Sequence, residues 1–309
     1  MHWQVALLLV SLASSTLAGS ATQIWNFTTY VDIENSILRP NGQLLFTTLT
    51  GPELYMIDPS AASPEAEVVT SMAGTTALTG LAAIDYDKFA VIGGVRGTYN
   101  YTNETIYTVD FSSSNGTTIE TAITLPDAVM LNGMASLPSN PHVLLVADSR
   151  VGCLWRVDLD TSTVTKAVED DTMLAPTNAT VPIGVDGLKI TGGYAYFTNV
   201  AKLTFARVPI ADDGSAATGA VEVLDYLDDD IDDFAVDGTY AYAAQQPSLV
   251  VKVDLETGEM VSVLVNDTTM AGGPTSVTLK GDGIHAYLTT MGSRTTGASG
   301  QIFEFELSP

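Results

Sequence analysis

Six positions spaced along the chain carry oxygen-bearing side chains at the head of similar short apolar runs: Glu34, Thr79, Asn132, Asp186, Asp232 and Thr275. Three carboxylates, one amide and two hydroxyls offer hydrogen bonding, proton transfer and hard-cation binding. No Ser-His-Asp constellation, reactive thiol or phosphate-cradling loop accompanies them, which excludes the commoner hydrolases and nucleotide enzymes. If the three acids converge to ~6 Å at an effective dielectric of ~20, each pair costs roughly 2.8 kcal/mol, about two pKa units. Such a cluster must share a cation or hold a proton. Oxygen donors without nitrogen or sulfur favour Ca²⁺ or Mg²⁺ over zinc. The other solution is a carboxylic acid kept neutral at working pH, able to donate a hydrogen bond to a bound carbonyl.

The elements that must gather these positions repeat. Asp232-Asp233-Phe234-Ala235-Val236-Asp237-Gly238-Thr239-Tyr240-Ala241-Tyr242 matches Asp186-Gly187-Leu188-Lys189-Ile190-Thr191-Gly192-Gly193-Tyr194-Ala195-Tyr196 in outline: acidic opener, apolar strand, turn, and a returning Tyr-Ala-Tyr strand. Successive openers lie 45, 53, 54, 46 and 43 residues apart. That is the period of a four-stranded propeller blade, whose first strand lines a central channel. Only 34 residues follow Thr275, enough for three strands. The unpartnered strand from Thr22 to Tyr30 is therefore expected to complete the last blade and close the ring, removing exposed sheet edges. The sequence predicts an all-β, six-bladed β-propeller with four-stranded blades, occupying residues 22–309 as one domain. Parallel β-helix coils are shorter and lack hairpin signals such as Asp237-Gly238. The repeat places Asp232 and Asp233 at the channel, whereas Asp225, Asp228, Asp229 and Asp230 read as a solvated loop.

With 12 Lys+Arg against 36 Asp+Glu, the net charge of −24 opposes nucleic-acid and anionic-membrane partners. A small molecule and a monomeric state are the expectations. Val5 to Leu12 with Thr16-Leu17-Ala18 reads as a secretory signal over residues 1–18. Six N-x-Thr sequons, at Asn26, Asn100, Asn103, Asn115, Asn178 and Asn266, fit a secreted glycoprotein. Cys153 is the single cysteine, so no internal disulfide forms, and its apolar neighbours place it in a strand core. His142 and His285 fall in returning strands or turns and read as structural.

Across the mature chain the sequence resembles the SMP-30/gluconolactonase/strictosidine-synthase group of six-bladed propellers. The resemblance rests on Glu34 followed by Arg39-Pro40-Asn41-Gly42-Gln43-Leu44, on Asn132-Gly133, on Asp186-Gly187-Leu188 and on Asp232. It implies Glu34, Asp186 and Asp232 as metal-site candidates, and Asn132 as a substrate contact. Asp186 stands where the lactonase motif has asparagine, and no arginine lies close to Asn132 in the sequence to complete a sugar site. The chain also resembles the fungal hetero-Diels-Alderases of tropolone-sesquiterpenoid pathways.

Three functions follow as expectations. The first is a cycloaddition enzyme of secondary metabolism joining a quinone methide to a terpene. It would use Asp186, Asp232 and Asn132 as catalytic groups, Thr79, Asn132 and Thr275 as substrate contacts, and no cofactor. Met134, Phe234 and Tyr240 are considered as pocket walls, with packing between blades the competing role for Met134 and Phe234. The second is a Ca²⁺- or Mg²⁺-dependent lactonase with the ion in the central channel; the third is a ligand-binding propeller without catalysis.

Overall fold

The structure is a computed structural model that describes residues 19–113 and 116–308. The expected signal at residues 1–18 and the sequon at Asn115 lie outside the described residues. Among the described residues, twenty-four strands, β1 to β24 in chain order, form six antiparallel four-stranded sheets. Five blades are simple meanders. In the sixth, β1 (Thr22–Asn26) pairs with β24 (Gln301–Glu306), giving the order β1-β24-β23-β22. The expected six-bladed ring, closed by the N-terminal strand, is thus present. An aromatic seam fastens the closure: the Trp25 and Phe27 rings lie 4.5 Å apart, and Phe27 packs edge-on against Tyr55 of the first blade at 5.2 Å.

Alternation within each strand puts one face against the next blade. Leu145, Leu154, Leu188 and Phe197, all fully buried, join the third and fourth blades in this way. Burying such side chains contributes about 1.5–3 kcal/mol each. Turn chemistry sets the hairpins. Asp237 accepts bonds from the backbone N–H groups of Thr239 and Tyr240 at 2.8 Å each, while Gly238 takes φ 96°, which side-chain-bearing residues avoid. The Arg39-to-Leu44 stretch makes a turn whose Arg39 forms a two-pronged bond to Asp87 of the second blade, at 2.9 and 2.7 Å.

The inner strands are β2 (Ile33–Leu38), β6 (Ala77–Asp85), β10 (Leu131–Leu137), β14 (Val185–Thr191), β18 (Ile231–Val236) and β22 (Pro274–Leu279). They neighbour one another around the axis, the last returning to the first. Each breaks register at the opener, for example between Val185 and Leu188 and between Ile231 and Phe234. In the first five blades the break leaves the opener and its successor outside the ladder and free to serve the channel, while in the sixth only Thr275 is skipped and Ser276 stays paired with Thr289. At Gly133 the successor must be glycine, because a Cβ would lie 2.2 Å from the Asp186 carbonyl oxygen.

Candidate functional site

Where the successor is not glycine, it fills the channel. Asn35 Nδ2 donates to Asp233 Oδ2 at 3.0 Å, Ser276 Oγ donates to Asn35 Oδ1 at 3.3 Å, and Lys189 Nζ reaches both Asp233 oxygens at 2.6 and 2.8 Å. This plug is buried, with the Asp233 side chain 5% exposed. Asp233 is therefore committed to an ion pair, which turns a bulky successor into a structural partner.

The openers Glu34, Asn132, Asp186 and Asp232 all line one cavity of about 650 Å³. Its remaining walls include Leu49, Met130, Val181, Ile183 and Met291, with Tyr99 and Tyr101 as aromatic surfaces. The volume suits a drug-sized ligand or two smaller reactants. Thr79 and Thr275 do not line it. Thr79 Oγ1 donates to the Leu131 carbonyl at 3.1 Å, and Thr275 Oγ1 shares a 2.9 Å bond with Thr289. A short hydroxyl side chain is satisfied by the neighbouring strand before it can reach into the channel. Met134 and Phe234 pack between blades, and Tyr240 lies against the interface of the fifth and sixth blades; none forms a cavity wall.

Burial governs the charge of the acids. Glu34, 6% exposed, is pushed up to about 8 by desolvation first, then by Asp32 and Asp233, with Arg96 opposing. Asp186 is raised well above the carboxylate range by burial, then by Glu34, Asp233 and Asp230. Asp232 is raised for the same leading reason, with Glu34 and Asp186 next. Mutual repulsion, the cause expected from sequence, ranks behind loss of water. Asp186 Oδ1 is buried and has no hydrogen-bond partner. An orphaned carboxyl oxygen costs about 1–3 kcal/mol unless a ligand or water meets it. Asp230, half-buried, acts on this cluster and does not belong to the solvated run.

The lactonase resemblance implies a divalent cation on Glu34, Asp186 and Asp232. Among the described residues, no three His, Cys, Asp or Glu side chains gather tightly enough to hold one. The three acids border a shared cavity and act on one another electrostatically, and no step is derived through a metal.

Two basic residues enter the same cavity, Arg96 and Arg294. Proximity in sequence to Asn132 would not have found either, since they arrive from the second and sixth blades. Asp32 also lines the cavity, two residues before an opener, a near-miss the repeat could have flagged. Behind the wall, Glu104 Oε1 accepts the Leu131 N–H at 2.8 Å, and Asp148 accepts those of Val129 and Met130 at 2.9 and 3.1 Å. These buried side chains hold the backbone that presents Met130 and Asn132. Away from the cavity, His142 and His285 pair with Asp160 and Asp282, each at 2.7 Å. Cys153 is fully buried and its thiol is pushed up to about 12 by burial, consistent with packing. Asn26, Asn100, Asn103, Asn178 and Asn266 are all exposed.

No protein-family model matches the chain. A protein of Phoma sp provisionally named a hetero-Diels-Alderase is 28% identical over 207 residues, covering 59% of this chain and 59% of that protein. A second protein with the same provisional name, from Sarocladium schorii, is 24% identical over 237 residues, covering 67% of this chain and 58% of that protein. Each match thus spans less than two thirds of the relative's own length. Among solved structures, a calcium-binding regucalcin from Agrobacterium tumefaciens superposes with a TM-score of 0.70 at 15% identity, over 95% of this chain and 96% of that one. That likeness establishes the shared fold. Both resemblances read from the sequence, to the SMP-30-like propellers and to the hetero-Diels-Alderases, therefore recur in these comparisons.

Proposed function

We propose that the protein is a cycloaddition enzyme, a hetero-Diels-Alderase that joins a tropolone-type quinone methide to a terpene alkene in the central cavity. The observation that carries the reading is Asp186: a buried acid, favoured in its neutral form, with one oxygen unpartnered on the cavity wall. The provisional names of the relatives support the same class of reaction.

The chemistry asks for little else. An oxygen-containing diene and an alkene close a ring by forming one C–C and one C–O bond; two π bonds are consumed net, and a remaining pair relocates. No proton leaves and no covalent enzyme intermediate forms. Confinement between Leu49, Met130, Ile183 and the Tyr99 and Tyr101 rings supplies proximity. A neutral Asp186 or Asp232 donates to the diene oxygen, withdrawing electron density from the end that the alkene attacks. The Asn132 amide provides a further donor. Activity falls as pH rises, because ionised acids cannot donate and repel the oxygen they should stabilise.

The deciding experiment measures cyclisation of a quinone methide generated in situ with a terpene, in the presence of chelator. Asp186→Ala is expected to lower turnover about 100-fold. Asp186→Asn, which still presents an N–H, should retain turnover within about tenfold of wild type. Full activity in Asp186→Ala would defeat the proposal. A lactone hydrolase is the second reading, favoured by four oxygen-bearing openers around one cavity; it would require activity that collapses in chelator. We place the enzyme in the secretory pathway as a glycosylated monomer, a reading supported by the exposed sequon asparagines.

A further inference from the structure

We propose that Arg96 and Arg294 form an anion-binding rim on the central cavity, and that its ligand carries a negatively charged oxygen such as an ionised enol or carboxylate. The inference rests on the cavity being the ligand site, as in the reading above, and not on the cycloaddition itself.

In a chain with 12 basic and 36 acidic residues, chance alone would surround a cavity with acids. Two arginines nevertheless border this one, and among the described residues no lysine does. They flank the segment leading into the first blade. Arg294 Nε donates to the Tyr30 hydroxyl at 3.2 Å, and that hydroxyl donates to Asp32 Oδ2 at 3.0 Å. On the other side, Arg96 Nη1 donates to the Leu49 carbonyl at 2.9 Å and lies 3.6 Å from the same Asp32 oxygen. One carboxylate thus anchors both guanidinium groups, Arg96 directly and Arg294 through the Tyr30 hydroxyl, and these three charged groups keep a net positive charge even with Asp32 ionised.

The donors are only partly used. Among the described residues, no acceptor takes Nη2 of Arg96 or either terminal nitrogen of Arg294, and the Arg96 side chain is 30% exposed. Planar guanidinium forks suit an oxyanion better than a neutral oxygen, because charge-assisted bonds are roughly twice as strong. A purely structural role would consume these groups in tying loops to blades. Here the ties use one nitrogen of each arginine, and both side chains border the cavity, Arg294 from an exposed loop.

The rim also sets orientation. Glu34, Asp186 and Asp232 border the cavity with acids that repel an anion when ionised and offer it no salt partner when neutral. A ligand with charge at one end and a carbonyl or apolar body at the other therefore enters with its anionic oxygen at Arg96 and Arg294. The uncharged end then meets Asp186.

Tropolone at a pH where it is ionised, and its neutral O-methyl ether, are the probes. Their affinities are measured on the full chain for wild type, Arg96→Gln, Arg294→Gln and the double variant. Wild type should prefer the anion by about tenfold or more. Each single substitution should reduce that preference several-fold and the double variant should abolish it, with affinity for the anion falling further than affinity for the ether. Arg294→Lys should retain part of the preference. Arg294 sits in a surface loop, so its variants decide the matter if Arg96→Gln fails to fold. Equal binding of the two probes by wild type, or a preference that survives in Arg294→Gln undiminished, overturns the rim. Because the readout is a ratio of affinities, it stands even if the wild type does not accelerate the cycloaddition, which would defeat only the reaction.

Discussion

Glu104 offers the sharpest test of the electrostatics behind this site. It is 1% exposed, its Oε2 has no partner, and burial followed by the nearby Asp148 charge pushes it up from 4.5 to about 8. An unfolded chain releases this proton near 4.5, whereas the folded chain keeps it until about pH 8. Between those values the folded state binds a proton that the unfolded state has lost, so stability falls as pH rises through the window. At about 1.4 kcal/mol per unit, the penalty approaches ~5 kcal/mol by pH 8. Glu104→Gln keeps an oxygen for the Leu131 N–H and places an amide where Oε2 stands, removing only the titration. Urea unfolding of both proteins at pH 5, 6, 7 and 8 should show near-equal stability at pH 5. The variant should then gain about 1 kcal/mol per pH unit up to pH 8. A difference that does not change with pH would refute the claim that burial keeps this acid protonated.

Other perturbations probe different links. Lys189→Met leaves Asp233 buried without its cation, held by the Asn35 amide, and should cost about 3 kcal/mol in denaturant unfolding; no loss would mean the plug is not an ion pair. Gly133→Ala drives a Cβ to 2.2 Å from the Asp186 carbonyl oxygen and should cost about 1–3 kcal/mol while weakening ligand binding; an unaffected variant would contradict the close approach of the inner strands. The turnover–pH profile should decline through the alkaline side as Glu34, held up to about 8, ionises beside Asp186, and a flat profile to pH 9 would contradict a neutral acid donor. Enzymatic glycan release should convert occupied sequon asparagines, Asn100 and Asn178 near the cavity loops among them, to aspartate by mass spectrometry; no conversion at any site would remove the secretory assignment.

The repeat made the ring legible because each blade reuses one pattern of opener, strand, turn and return. It also exposed Glu34, Asn132, Asp186 and Asp232 as a group, since a channel-lining position recurs with the blade. Thr79 and Thr275 occupy the same repeat position, yet their side chains are too short to escape the neighbouring strand. What distinguishes an opener that lines the cavity from one that does not is side-chain reach, and periodicity is blind to it. Arg96 and Arg294 were illegible for a different reason: they come from a strand end and a loop, where no spacing rule applies. Lys189 and Asp233 sit on the inner strands of different blades and meet only after the two blades are juxtaposed. The leading cause of the acids' raised pKa values was likewise hidden, because desolvation depends on what covers a residue and not on which residues share its position.

The pairing of β1 with β24 also governs how the central cavity comes into being. Tyr30 and Asp32 lie just after β1, while Arg294 lies just before β24, so the two halves of the arginine network meet only across the closing seam. A nascent chain lacking residues 301–306 can fold individual meanders but has nothing to latch the circle. Competence to bind should therefore switch on in one step, late in synthesis, and a cut between Asn26 and Tyr30 should abolish it even though every wall residue is still present.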